Sequence, residues 1–325
     1  MRETIRCGFN LTEVAKALHT SQPGVSRQIR ELEDELGVEL FVRMGKRLIS
    51  LTEVGMLIVP IIENMLKDAE NLKRAGEEFK QQATGRLSIA TTHSQARYAL
   101  PDAVREFLLR FPGVKFNLHQ GTGDQVAELL ISGEADIGIA TEALTNYESL
   151  ITLPCFRWSH SVIVRPGHAL LDGEALTLAR LAEFPIITYG LGYTGRTSID
   201  DAFKNAGLEI DTVLTAMDAD VIKTYVELGL GVGIVASIAF DDRRDSGLRA
   251  LDARHLFTIN MTKLAVRRGS FLRAYIYEFI ETFAPQLTRD VVRGQYIGYR
   301  SEARINPESD TETFIARNLR CITRV

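Results

Sequence analysis

From Leu87 onward, short apolar or alternating runs (LSIATT, VKFNLHQ, ADIGIAT, SVIVRP, PIITYG, TVLTAM, GVGIVAS and TKLAVRR) are separated by amphipathic stretches such as ALPDAVREFLLRFP, DQVAELLISG, SIDDAFKNAG and DVIKTYVELG. This alternation leaves few architectures open. Strands that take turns with helices build βαβ units, because parallel neighbours must be joined by a crossover, usually helical, and both sheet faces are then covered. An α/β region with a mainly parallel sheet is predicted, as one domain or two lobes.

The residues before it follow a helical period. Leu11, Val14, Ala15 and Leu18 fall on one face of a helix over residues 11–18, with Asn10 and Glu13 spaced as a capping box. After a turn at His19, Thr20 is expected to cap a second helix, with Pro23 in its first turn, Val25, Ile29, Leu32 and Leu36 as its buried stripe and Gly37 at its end. Two short helices across a tight turn make a helix-turn-helix. FVRMGKRLISLT then reads as a hairpin around Met44-Gly45, a basic wing. A long helix is expected from Thr52 and Glu53, with Ile58, Ile62, Met65, Ala69 and Leu72 in a coiled-coil seam that a second subunit would cover. Pro60 is expected to interrupt it, since an interior proline costs about 3 kcal/mol or kinks the helix.

Net charge bears on the partner. At −4, the chain has no general excess of basic residues, so a nucleic-acid surface requires local segregation of charge. Arg27, Arg30, Arg43, Lys46 and Arg47 stand apart from the acidic run at residues 31–35. In a helix-turn-helix, the first residues of the second helix lie nearest the base edges. Thr20, Ser21, Gln22, Ser26, Arg27 and Arg30 occupy that part. Glutamine suits adenine, arginine suits guanine, and hydroxyls and the helix N-terminus suit phosphate. With the wing residues Arg43, Lys46 and Arg47, they form the predicted contact set for double-stranded DNA.

The order of helix-turn-helix with TSQPGVSRQIRELEDELG, basic wing FVRMGKRLISLTEVG, long helix and α/β region resembles the LysR-type transcriptional regulators of bacteria, over nearly the whole chain to about Arg293. IATTHSQARYALP, HQGTGDQVAEL, ADIGIATEAL, YTGRTSIDDAF, DADVIKTYVELGLGVGIVAS and FAPQLTRDVV resemble the CysB-like branch, which controls sulfate assimilation and sulfonate use. The resemblance implies a winged helix-turn-helix over residues 1–51, with the first helix truncated at RETIRCGFN, and a linker and dimerisation helix over 52–85. It further implies a two-lobed, periplasmic-binding-protein-like effector domain over 86–292 (lobe I about 86–164 and 263–292, lobe II about 165–262), followed by a polar tail over 293–325. It implies a dimer of dimers, RNA polymerase as a further partner, and sulfate, thiosulfate, O-acetylserine or N-acetylserine as effector.

The ligand segments are also readable on physical grounds. Thr92, Ser94 and Gln95 follow the first strand of the α/β region and precede a helix, Thr141 follows ADIGIA, and Thr194 precedes SIDDAF. Ligands of open α/β sheets sit at the carboxyl ends of strands, and hydroxyls with helix N-termini hold anions without a matched charge. Positions matching these five contact sulfate or acetylserine in the branch; Ser94 replaces the usual threonine and keeps the hydroxyl.

Other classes are less well supported. The six histidines are scattered, and no metal-ligand spacing, cofactor motif or catalytic constellation occurs, which argues against an enzyme. A free-standing ligand-binding protein would be secreted and would not need the first 80 residues. A regulator of another pathway, sensing a different small polar ligand, remains the nearest alternative. The charged start MRETIRCGFN and three separated cysteines suggest a cytoplasmic, reduced protein.

Overall fold

A computed structural model of the chain describes residues 1–78, 85–141, 143–193 and 195–297, which fall into two compact units, 1–80 and 81–325. No helix among the described residues is long and apolar enough to cross a membrane.

In the first unit, α1 (Arg2–Arg6) precedes α2 (Leu11–Ala17) and α3 (Gln22–Leu36). Asn10 caps α2 by accepting the N–H groups of Thr12 and Glu13 at 3.1 and 3.4 Å. The cap of α3 is Ser21, not Thr20: its Oγ accepts the Gly24 N–H at 3.3 Å. Gly37 ends α3 at φ 68°, the left-handed conformation that releases a chain from a helix. Strands β1 (Phe41–Met44) and β2 (Arg47–Leu51) form the hairpin, and α4 (Glu53–Glu78) follows, capped by Thr52. Leu11, Val14, Ala15, Val25, Ile29, Leu40, Phe41 and Leu48 make the core. Leu36 is exposed and Glu33 takes a buried place beside the stripe. Pro60 does not break α4, which runs unbroken through it.

The second unit contains β3 (Gly85–Thr91), α5 (Pro101–Arg110), β4 (Val114–Gln120), α6 (Gly123–Ser132), β5 (Ile137–Ala140) and β6 (Leu150–Trp158). These are followed by β7 (His160–Val164), α7 (Leu178–Ala182), β8 (Ile186–Tyr189), α8 (Arg196–Asn205), β9 (Thr212–Ala216), α9 (Ala219–Glu227), β10 (Val232–Ala236), β11 (Arg249–Asp252), β12 (Asn260–Arg267), α10 (Ala274–Phe283) and α11 (Arg289–Ile297). The strands form two five-stranded sheets, ordered β4-β3-β5-β12-β6 and β11-β7-β10-β8-β9. Each sheet is the centre of one lobe. Helices pack on both faces, which is why β5, β8 and β10 are buried at every position and read as continuous apolar runs.

Neither sheet is simply parallel. β12 runs antiparallel to β5 and β6, and β7 antiparallel to β10 and β11. The reversed strands are those the chain enters directly after crossing from one sheet to the other, once at Ser159 and again before Asn260. The first crossing therefore falls at Ser159, ahead of the expected boundary at 164, and HSVIV belongs to the second lobe. A strand's own residues encode its pleat but not which sheet receives it. The expected tail also begins later: α11 extends through Arg293 and buries Val292. Residues 298–325 lie outside the described residues.

Candidate nucleic-acid interface and ligand cleft

The start of α3 presents Thr20, Ser21, Gln22, Arg27 and Arg30 to solvent, with Ser26 half-buried. Arg27 donates from Nε to Glu31 at 2.7 Å, both groups exposed, an arrangement that DNA can compete for because surface ion pairs are weak. Lys46 and Arg47 are exposed on the hairpin. Arg43 is different. It is half-buried and ion-paired with Glu33, whose Oε1 also accepts the N–H groups of Leu40 at 2.9 Å and Phe41 at 3.2 Å. Its charge is neutralised inside the unit, so it holds the hairpin on α3, and the expectation that it faces phosphate is revised. The signal was present in the sequence: Val25, Ile29 and Glu33 are spaced by four and share the buried face.

The second candidate site lies where the carboxyl ends of the two sheets meet. β3 ends at Thr91, whose hydroxyl donates to the Ile139 carbonyl at 2.7 Å and ties β3 to β5. The chain then turns helical at His93, passes through a π-helical turn over Gln95–Ala99 and continues as α5. Such turns carry one extra residue and recur at functional sites. Thr92, Ser94 and Gln95 are buried on this segment, 5%, 0% and 1% exposed. Gln95 donates from Nε2 to the Thr262 hydroxyl at 2.9 Å; its Oε1 and the Nδ1 of His93 have no hydrogen-bond partner among the described residues.

Thr141, at the end of β5, accepts the indole N–H of Trp158 at 3.3 Å. Trp158 meets His160 edge-on at 5.1 Å, the two rings flanking the first crossing. Gly195 fits against both: a Cβ there would come within 2.9 Å of Trp158 and 3.0 Å of His160. Its φ of 72° also favours glycine. Arg196, next along, pairs with Asp200 at 2.7 Å and donates to the Tyr189 carbonyl at 2.5 Å. Ser198 donates to the Thr258 carbonyl at 3.2 Å. Thr194 itself lies outside the described residues.

Tyr189, at the end of β8, closes the floor. Its hydroxyl accepts the Ala236 N–H at 3.0 Å and is hydrogen-bonded to Ser94; burial pushes its pKa up to about 12, against the lowering effect of those two bonds. Thr92, Ser94 and Gln95 thus follow β3, and Thr141 follows the adjacent strand β5. Trp158, Tyr189 and Thr262 are the residues that motif reading missed, whereas Gly195 lies in the segment before SIDDAF that the sequence already marked. Trp158 alone had a signal, as the single tryptophan, at a strand end.

Comparison with known proteins gives a match in each of the two units. Residues 2–56 match the family "Bacterial regulatory helix-turn-helix protein, lysR family", and residues 80–288 match "LysR substrate binding domain". The HTH-type transcriptional regulator SsuR of Burkholderia cenocepacia is 54% identical over 294 residues, 90% of this chain and 96% of that protein. CysB of the same organism is 52% identical over 292 residues, with 90% and 93% covered. The regulator cbl of Escherichia coli K12 is 49% identical over 295 residues, with 91% and 93% covered. The crystal structure of the cofactor-binding domain of Cbl superposes with a TM-score of 0.64 at 46% identity, covering 66% of this chain and 94% of that one. A full-length OxyR variant from Pseudomonas aeruginosa, with a TM-score of 0.64 at 22% identity and 86% and 91% covered, shares the fold. A basic helix-turn-helix in one unit, a two-lobed domain for a small-molecule effector in the other, and matches to both halves establish that the chain belongs to the LysR family of transcriptional regulators.

Proposed function

We propose that this regulator controls genes of sulfur metabolism and that its effector is a small anion or acetylserine-type compound held by Thr92, Ser94, Gln95, Thr141 and Thr194. The observation that carries the reading is the buried segment Thr92–Gln95, where three uncharged polar side chains and the first N–H groups of a helix share one strand end. Hydroxyls, amides and a helix N-terminus suit a compact anion, whose desolvation a single buried cation would otherwise have to offset. The likeness to CysB and SsuR supports a sulfur compound over other anions.

DNA is read by the exposed start of α3, with Gln22 and Arg30 at base edges and Lys46 and Arg47 on phosphate. The apolar side chains exposed on α4 support its role as the pairing helix of a dimer, two of which make the tetramer. Winged unit, pairing helix and two-lobed effector domain then follow one another along the chain, and RNA polymerase contacts are an extension of the same reading.

Calorimetry and gel shift with DNA from the chain's own upstream region test it, with sulfate, thiosulfate, O-acetylserine and N-acetylserine in turn. Thr92→Val removes a hydroxyl at nearly constant volume. It is expected to weaken effector binding about tenfold, the value of a hydrogen bond to a charged group, while ligand-free DNA affinity stays unchanged. Should no compound alter the DNA complex, or should the variant bind them all like the parent, the sulfur reading fails.

A further inference from the structure

The segment that carries Thr92, Ser94 and Gln95 does more than line a cleft. Its next residues cross to the other lobe. Tyr98 donates its hydroxyl to Asp220 Oδ1 on α9 at 2.7 Å, and Arg97 donates from Nε to Asp220 Oδ2 at 3.0 Å. The Tyr98 ring packs against the apolar cores of both lobes. Lys223, one turn along α9 and buried, lies 5.3 Å from the centre of that ring and 3.1 Å from Asp220. Its other partners belong to its own lobe: Asp245 at 3.1 Å and the Ala239 carbonyl at 3.0 Å. Four residues earlier, Ser94 makes a second cross-lobe hydrogen bond to Tyr189.

This division of partners is informative. Lys223 is anchored within the second lobe whether or not the first is present, so α9 has no need of Tyr98 to stay folded. Asp220 is the carboxylate on which donors of both lobes converge. Its acidity agrees: burial would raise its pKa, but hydrogen bonds from Tyr98 and Lys223, the Lys223 charge and the Arg97 bond hold it at about 2.

We propose that the Tyr98–Asp220 contact is an inter-lobe latch, which fastens the effector segment of the first lobe to α9 of the second and sets the balance between closed and open lobes before any effector binds. An effector at Thr92–Gln95 touches the same segment three residues away, so the latch is the element through which its binding reaches the second lobe. That last step rests on the effector reading; the latch itself does not.

Trp158, the single tryptophan, reports on it directly. It is 1% exposed, and Gly195 of the second lobe lies against its ring, so separation of the lobes uncovers it. Acrylamide quenching of Trp158 fluorescence is measured on ligand-free parent, Tyr98→Phe, Asp220→Asn and the double variant, with far-UV circular dichroism recorded on the same samples. Tyr98→Phe keeps the ring in both cores and removes only the donor. Loss of a hydrogen bond to a charged group shifts an equilibrium by roughly tenfold or more, and the quenching constant is expected to rise by about that factor in either single variant. The double variant should rise no further than Asp220→Asn alone, because that change already removes the charged acceptor of the Tyr98 hydroxyl, together with the partner of Arg97. Unchanged quenching overturns the latch, as does a rise that merely follows loss of dichroism or effects that add in the double variant. Because no ligand is present, failure here leaves the effector assignment standing, and failure of every sulfur compound to bind leaves the latch standing.

Discussion

Single side chains decide more of this molecule than their positions in the sequence suggest. Glu33 is charged yet 7% exposed, and it satisfies two backbone N–H groups and Arg43 at once. Glu33→Gln leaves the Arg43 guanidinium without a counter-charge, and a loss of about 2–3 kcal/mol is expected in urea unfolding of the full chain. Gly55 is equally constrained, since a Cβ there would overlap the Leu40 carbonyl oxygen, a backbone atom that cannot rotate away. Gly55→Ala should lower the melting temperature of the first unit even though alanine favours a helix. Asp220 adds a dependence on pH. Its folded pKa is lowered from 3.8 to about 2, so its charged form favours the native state. The contribution is fully present above about pH 4 and disappears as pH falls through 2. The difference in melting temperature between parent and Asp220→Asn should therefore be largest at neutral pH and close progressively below pH 4.

Among the elements, α4 departs most from expectation. Pro60 lacks the N–H that would bond to Met56, yet the helix persists on both sides, which places the cost of the missing bond on packing of the flanking turns. Of the expected seam, Ile58 packs against the core of its own unit, while Met65 and Leu72 are 66% and 75% exposed. Leu57 and Ile61 are exposed beside them. Side chains of this size do not stay in water along one helix unless something covers them, and the burial of such a stripe is what pairs helices. Ile61→Glu or Met65→Glu should reduce the sedimentation coefficient to that of a smaller assembly with dichroism unchanged, because a buried carboxylate in a dry seam costs several kcal/mol while on a monomer it costs nothing. An unchanged sedimentation coefficient would remove α4 from the pairing.

For the molecule as a whole, binding to DNA and to effector are linked quantities. Each phosphate contact removed flattens the dependence of log affinity on log salt by about 0.9. Lys46→Ala and Arg47→Ala should each show that change on specific and random DNA alike. Arg43→Ala should keep the slope and lose stability instead, since its partner is Glu33. The effector can move the DNA equilibrium only by its differential affinity for two lobe positions, typically about 1–3 kcal/mol, and DNA must change effector affinity by the same factor. Calorimetric titration of effector into free and DNA-bound protein measures that reciprocity.

What the sequence determined by itself are the features that local chemistry encodes. The periods of the apolar residues separate a helical unit from an α/β one, Asn10 and Gly37 fix helix ends, and the motif TSQPGVSRQIRELEDELG is specific enough to carry the family. Even there, Ser21 rather than Thr20 became the cap, because two adjacent hydroxyls compete and backbone geometry chooses. Tertiary structure alone decided the rest: which sheet received HSVIV, the ion pair that withdraws Arg43 from the wing surface, and the contacts that close the cleft. Gln95 and Thr262 are 167 residues apart, and Tyr98 and Asp220 are 122 apart. A polar side chain at such a position has the same local pattern whether its partner is water, a ligand or a distant carboxylate, and only the assembled lobes select among them.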